Sequence, residues 1–196
     1  MFVTFEGLDG CGKSTQAELL AEYLRSSGAD VVATREPGGT SLGERVREVL
    51  LEGDPISGWA EAALFAAARA ELVARVIRPA LERDAHVVCD RYLDSSLAYQ
   101  GIARGLGVDR VLDLNVPAIG GLLPDVTFLL LVDPEEAARR SGSDRIEREG
   151  AGFRADVDRA YRELADVFPR RIVPIDGARP VEEIAMQIRG RVLELA

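Results

Sequence analysis

Lysine is almost missing from this sequence: of 24 basic residues, one is a lysine, Lys13, and the rest are arginines. Histidine and tryptophan occur once each, and cysteine twice, as Cys11 and Cys89. Two cysteines build no disulfide framework, which points to a reducing compartment, the cytoplasm. No apolar run approaches the ~20 residues that span a bilayer; the longest, Val126 to Val132, is already broken by Thr127. The opening residues, MFVTFE, put no basic segment ahead of an apolar stretch, so they do not read as a signal peptide. Acidic residues outnumber basic ones, 33 to 24, for a formal net charge of −9. That balance disfavours nucleic-acid polymers and anionic membranes as partners, and any anionic ligand must be held by a locally basic site. What is present is ordinary for a globular protein, 47% apolar and 29% charged, and 196 residues suffice for one domain with a good core.

Strands and helices alternate along the chain. Phe2 to Glu6 reads as a buried strand; Asp30 to Thr34, His86 to Cys89, Val126 to Val132 and Arg171 to Asp176 follow as short strands. Between them, Ser14 to Ser27 carries Ala17, Leu20, Ala21 and Leu24 at helical spacing and is closed by Gly28. Ser41 to Leu51, Trp59 to Leu81, Phe153 to Phe168 and Pro180 to Leu195 also read as helices. The pattern predicts an α/β fold, a five-stranded parallel sheet flanked by helices on both faces, with ligands bound beyond the carboxyl ends of the strands. Residues 139–152, polar and glycine-bearing, have the composition of a mobile lid.

The lone lysine falls in the most specific motif. Gly7-Leu8-Asp9-Gly10-Cys11-Gly12-Lys13-Ser14 fits the P-loop pattern G-x-x-x-x-G-K-[ST], with a strand before it and a helix after it. Glycines let successive amide N–H groups point inward at phosphate oxygens, and the helix N-terminus adds its positive end. Lys13 then bridges β- and γ-phosphates, and the Ser14 hydroxyl, followed by Thr15, serves Mg²⁺. The chain has no Asn-Lys-x-Asp guanine-reading segment and no second domain of a motor ATPase. A small P-loop kinase with a second, anionic substrate remains.

Three segments carry a closer resemblance: Glu6 to Thr15, Arg35-Glu-Pro-Gly-Gly-Thr40 and Asp90-Arg-Tyr-Leu-Asp-Ser-Ser-Leu-Ala-Tyr-Gln-Gly101. Together with Phe65-Ala-Ala-Ala-Arg69 and the lid, they resemble the signatures of thymidylate kinase from end to end. The resemblance implies transfer of the γ-phosphoryl of ATP to dTMP, with Mg²⁺, in a homodimer. It implies that Arg35 and Arg91 hold the dTMP phosphate, that Phe65 stacks on the base and Arg69 donates to its O4, and that Ser96 bonds the base edge. By the same resemblance Tyr99 excludes a 2′-hydroxyl, Gln100 supports the pocket, and Asp9 accepts from the 3′-hydroxyl and helps orient the metal. Asp90 ends a strand expected beside the P-loop, where it holds Mg²⁺ through water or caps the following helix. Glu36-Pro37 resembles the family's tight, cis turn. The chain looks like the bacterial branch in which the lid supplies a catalytic arginine, because Leu8, Asp9, Gly10 and Cys11 include no basic residue. Arg139, Arg140, Arg145 and Arg148 are its candidates, with Arg145 assigned to the transferring group and Arg139 to the neighbourhood of adenine. Cys11 and Cys89 read as small buried residues, and His86 is given no catalytic role. The alternatives are another nucleotide or deoxynucleoside kinase and a non-catalytic nucleotide-dependent switch.

Overall fold

The structure, a computed structural model, describes residues 1–142 and 144–195, with Glu147 described by its backbone alone. Five strands, β1 (Phe2–Glu6), β2 (Val31–Arg35), β3 (His86–Asp90), β4 (Val126–Leu131) and β5 (Ile172–Asp176), form one parallel sheet in the order β2-β3-β1-β4-β5. Every strand was foreseen within a residue or two. The end of β2 differs in a way that matters: Arg35 lies in the strand, paired with Asp90, rather than one residue beyond it.

Alternation along the central strands explains the two-sided burial. Phe2, Val87, Cys89 and Leu129 point into one apolar layer, where they meet Leu72 and Ile77, Val111 and Leu164. Val3, Phe5, Val88, Phe128 and Leu130 point into the other, against Leu20, Leu24, Ile184 and Ile188. Period-two strands buried on both faces read as continuous apolar runs, as these do. Helices α1 (Lys13–Ser26) and α9 (Val181–Leu193) therefore cover one face. The opposite face is covered by α3 (Gly58–Leu72) and its continuation, and by α6 (Val108–Ile119) and α8 (Ala151–Val167).

The remaining elements shape the rim. Helix α2 (Ser41–Glu52) is capped by Thr40, whose hydroxyl accepts from the Gly43 amide at 2.9 Å. The helix expected over 59–81 exists, but a π-helical turn at Val73–Ile77 separates α3 from α4 (Arg78–Glu82). Arg78 N–H bonds Val73 O, five residues back. Pro79 follows directly; it has no N–H to give and its ring crowds the preceding turn, so the widened turn absorbs it. A second π-helical stretch, Leu97–Ala103, follows α5 (Leu93–Ser96) and carries Tyr99 and Gln100. Helices α5, α6 and α7 (Pro134–Arg140) were not anticipated, and α7 takes up the first two residues of the segment read as an irregular lid. Its cap is Asp133, accepting from the amides of Glu135 and Glu136. Among the described residues, no helix is long and apolar enough to cross a membrane.

Candidate active site

At the carboxyl ends of β1, β2 and β3 the glycine-rich loop opens onto a cavity of about 400 Å³. The loop's shape depends on residues without side chains. Gly7, at φ +134°, could not carry a Cβ, which would sit 2.5 Å from the Leu130 carbonyl oxygen. Gly10, at φ +81°, lies against Ala137, Ser141 and the Cβ of Arg140, so the loop meets the start of the lid at a point where a side chain has no room. Gly10, Gly12, Lys13, Ser14 and Thr15 line the cavity with Asp9, whereas Leu8 and Cys11 are buried in the apolar layers behind it. The Lys13 ammonium is folded into its own loop, donating to Leu8 O at 2.8 Å, 4.0 Å from an Asp9 oxygen. The Ser14 hydroxyl donates to Asp90 Oδ2 at 2.5 Å, and Asp90 Oδ1 is buried with no partner.

Across the cavity stand Arg35 and Arg91, on the same side of the molecule as Lys13. Arg91 is the more tightly built in. Its backbone has φ +69°, a left-handed conformation uncommon outside glycine and costing ~1 kcal/mol or more. Its amide is fixed to Phe5 O at 2.9 Å. Its guanidinium reaches Asp9 Oδ1 at 2.7 Å, Ser95 Oγ at 3.0 Å, the Tyr161 hydroxyl at 3.1 Å and the Tyr99 hydroxyl at 3.4 Å. Behind it lies Glu6, wholly buried, which accepts from the Tyr92 amide, the Ser95 hydroxyl and the Tyr161 hydroxyl at 2.8, 2.6 and 2.8 Å. Burial and the nearby charge of Asp94 push the Glu6 carboxyl up from its ordinary range, against the pull of Arg91 and its hydrogen bonds. Asp9 goes the other way: burial would raise it, but Arg91 and Lys13 together bring it down to about 2. The site therefore holds a fixed cation and a permanently ionised carboxylate within hydrogen-bond reach of each other.

Arg35 is looser. Half-exposed, it pairs with both oxygens of Glu44 at 3.0 Å, and the same carboxylate accepts from the Gly39 amide. The Glu36-Pro37 bond is cis, as the resemblance implied. Arg47, which the sequence reading passed over, also lines the cavity and donates to Pro37 O at 3.1 Å. It sits on α2 one residue past buried Val46, a position indistinguishable from a solvated surface arginine in the sequence alone.

Phe65, Ser96, Tyr99 and Gln100 line the far wall, and Arg69 does not. Its guanidinium is buried and committed within the protein. Nε donates to Glu36 Oε2 at 2.9 Å, Nη1 to Ser96 Oγ at 3.0 Å and to Asn115, and Nη2 to Tyr92 O at 3.0 Å, with Nη2 also 2.6 Å from Glu36 Oε2 as an ion pair. Four of the five guanidinium hydrogens are thus bonded and the fifth belongs to the nitrogen that pairs with Glu36, so the group is turned to the protein rather than to the cavity. Glu36, buried at its foot, is pushed up to about 7 by burial, with the Arg69 charge opposing and Glu6 adding to the rise.

The lid departs from expectation most. Arg145, assigned to the transferring group, points away from the glycine-rich loop: it is buried, donating to Leu50 O at 2.7 Å and to Glu61 Oε2 at 2.6 Å. Arg140 is the lid arginine on the cavity wall, beside Asp144 and Ile146, and it pairs with Glu136. Arg139 and Arg148 are exposed outside the cavity. No spacing rule separates Arg140 from Arg145; only the direction in which α7 ends does. Cys11 and Cys89 are free and buried, and burial raises the Cys89 thiol far above its ordinary value. His86 opens β3 at the opposite end of the strand from the cavity.

A glycine-rich loop closing on a single lysine, faced across a cavity of nucleotide size by a locked arginine, is the architecture of a P-loop nucleoside monophosphate kinase. Comparison with known proteins narrows the class. The family model described as "Thymidylate kinase" matches residues 5–188. A thymidylate kinase of Leifsonia xyli is 52% identical over 98% of this chain and 94% of its own length, and one of Symbiobacterium thermophilum is 49% identical over 100% and 94%. The crystal structure of thymidylate kinase from Ehrlichia chaffeensis superposes with a TM-score of 0.82 at 34% identity, covering 98% of both chains. The chain belongs to the thymidylate kinase family.

Proposed function

We propose that this protein converts dTMP to dTDP by direct transfer of the γ-phosphoryl group of ATP, in the supply of dTTP. The observation that carries the reading is Arg91: a strained, fourfold hydrogen-bonded arginine on the wall that faces the phosphate loop. In this reading the triphosphate lies in the loop of Gly7 to Thr15, and Lys13 leaves Leu8 O to meet β- and γ-oxygens. The acceptor phosphate sits between Arg91 and Arg35, whose exchange of Glu44 for phosphate is one charge-assisted bond for another. That phosphate is already anionic at neutral pH, so the chain needs no general base; alignment and charge neutralisation do the work. Arg140, on the cavity wall and packed beside Gly10, is the lid arginine placed to oppose charge on the moving group.

A divalent metal fits the residues present. Mg²⁺ keeps waters and substrate oxygens as ligands and needs few protein groups; Ser14 Oγ and the unpartnered Asp90 oxygen meet that demand, with Asp9 nearby. When bound it would neutralise the β- and γ-oxygens.

The Phe65 ring offers the base a stacking face. Ser96 already accepts from Arg69, which leaves its hydroxyl hydrogen for a base carbonyl, so Arg69 would act through Ser96. Tyr99, whose hydroxyl bonds with Arg91 and Asp9 on the cavity wall, would leave no room for a 2′-hydroxyl in this reading. Coupled ADP release with dTMP, dUMP, UMP, CMP, AMP and thymidine tests the reading. dTMP is used first, dUMP less well and ribonucleotides poorly; equal use of UMP contradicts the role of Tyr99, and nucleotide binding without turnover contradicts the enzyme reading. We further infer a cytoplasmic homodimer. The apolar side chains exposed on α2, α3 and α6, Val49, Trp59 and Val116 among them, supply its contact face. Sedimentation as a monomer at micromolar concentration would contradict it.

A further inference from the structure

Outside the phosphate machinery, Glu61 on α3 is one of the most heavily hydrogen-bonded side chains among the described residues. It is 1% exposed, and each of its oxygens accepts twice. Oε1 takes Gln100 Nε2 at 2.9 Å and Arg104 Nε at 2.6 Å; Oε2 takes Arg104 Nη2 at 2.9 Å and Arg145 Nη2 at 2.6 Å. Burial alone would raise this carboxyl, but the bonds from Arg104, Arg145 and Gln100 outweigh it and hold it below its ordinary range. The four donors come from two functional regions: Gln100 and Arg104 belong to or adjoin the π-helical stretch that carries Tyr99, and Arg145 belongs to the lid. The lid is fastened around the same point twice more. The Arg145 amide donates to Leu51 O at 2.9 Å, and Arg104 reaches Glu149 at 3.0 Å while lying 4.8 Å over the Phe153 ring. The charges combine as one buried carboxylate against two guanidiniums, with Glu149 as the second counter-charge.

We propose that Glu61 is a positioning residue for phosphoryl transfer: by clamping Arg145 and Arg104 it fastens lid residues 144–153 to the acceptor pocket and so keeps Arg140 over the phosphate loop. The clamp explains why the lid carries an arginine that never reaches the cavity. It also couples the two substrates, because Gln100 lines the acceptor pocket and shares the carboxylate with the lid. The proposal rests on the function proposed above, in which the lid serves the triphosphate side.

The test uses Glu61→Gln, Arg145→Met and the double variant, with two readouts. Arg145→Met leaves Glu61 paired with Arg104 and Gln100, so it tests the clamp even where Glu61→Gln fails to fold. In steady-state kinetics Arg145→Met raises KM for ATP about tenfold and leaves KM for dTMP within about threefold. The double variant raises KM for ATP by clearly less than the product of the two single effects, because the Glu61–Arg145 link is lost in either single variant and can be lost only once. In hydrogen exchange of the nucleotide-free protein, amides 144–149 exchange about tenfold faster in both single variants. An unchanged KM for ATP alongside a lowered melting temperature would make Glu61 merely structural and overturn the proposal, as would additive effects in the double variant. Unchanged lid exchange also overturns it, and does so even for a chain without dTMP-dependent turnover, so the clamp and the proposed activity fail separately.

Discussion

Replacing Arg91 tests how much of the catalytic power is held in one preorganised side chain. Its four side-chain hydrogen bonds fix the guanidinium before any substrate arrives, so under the proposed function its charge would meet the moving phosphoryl at little cost in reorganisation. Losing an arginine of this kind in P-loop enzymes costs on the order of 10³–10⁵ in rate, about 4–7 kcal/mol at ~1.4 kcal/mol per tenfold. Two substitutions separate charge from backbone. Arg91→Gly relieves the left-handed φ of +69°, returning about 1 kcal/mol to the fold while removing the guanidinium. Arg91→Lys keeps the charge but loses the planar fork that reaches Asp9, Ser95 and the tyrosines together. Coupled ADP release with saturating ATP and varied dTMP, alongside thermal unfolding, is the assay. We expect kcat/KM for dTMP to fall at least about 10³-fold in Arg91→Gly and about 10²-fold in Arg91→Lys, with the melting temperature of the glycine variant lowered, because four hydrogen bonds and the Asp9 ion pair outweigh the relieved backbone strain. A folded Arg91→Gly retaining more than a tenth of wild-type kcat/KM would refute the assignment.

Two further substitutions probe the surroundings. Gly10→Ala forces a Cβ into the backbone of Ala137 and Ser141 at φ +81°, so lid and loop must part; kcat falls at least about tenfold while dTMP binding, read by calorimetry, is kept, and a fully active variant would contradict the contact. Glu36→Gln isolates a pH effect. A carboxyl raised from 4.5 to about 7 on folding binds its proton more tightly in the native state, so its contribution is complete below about pH 4.5 and is lost as the pH rises through 7. Wild type should therefore lose stability relative to Glu36→Gln between pH 5 and 8, by up to about 3 kcal/mol at ~1.4 kcal/mol per pH unit of displacement, measured by denaturant unfolding. A pH-independent difference would show that Arg69 keeps Glu36 ionised throughout.

The sequence carried the strands and the phosphate loop through their own patterns, and Arg35, Asp90 and Arg91 as residues at strand ends; Phe65, Ser96 and Tyr99 were legible only through the resemblance to thymidylate kinases, since a Phe on a helix otherwise reads as core and α5 with its π-helical continuation was not foreseen. It did not carry the directions of side chains on short or irregular elements. Arg140 and Arg145 are five residues apart in a polar segment, and only the end of α7, at Arg140 with Ser141 as its C-cap, turns one to the loop and the other to Glu61. Arg69 was legible as a helical neighbour of Phe65, but that its guanidinium is committed inside the protein depends in part on Asn115 of α6, a helix the reading missed. Glu6 read as part of a buried strand and a family motif; that it anchors Arg91 through Ser95 and Tyr161 joins residues more than eighty positions apart, which no local pattern encodes.

The central claim is that two anionic nucleotides meet end to end in one cavity between Lys13 and Arg91. A single inhibitor that joins adenosine to thymidine through a chain of phosphates tests it most directly. Inhibition competitive with both ATP and dTMP, at least about 100-fold tighter than dTMP alone, is the expected result, because the second half binds at high effective concentration. Competition with only one substrate, at no gain in affinity, would contradict the account.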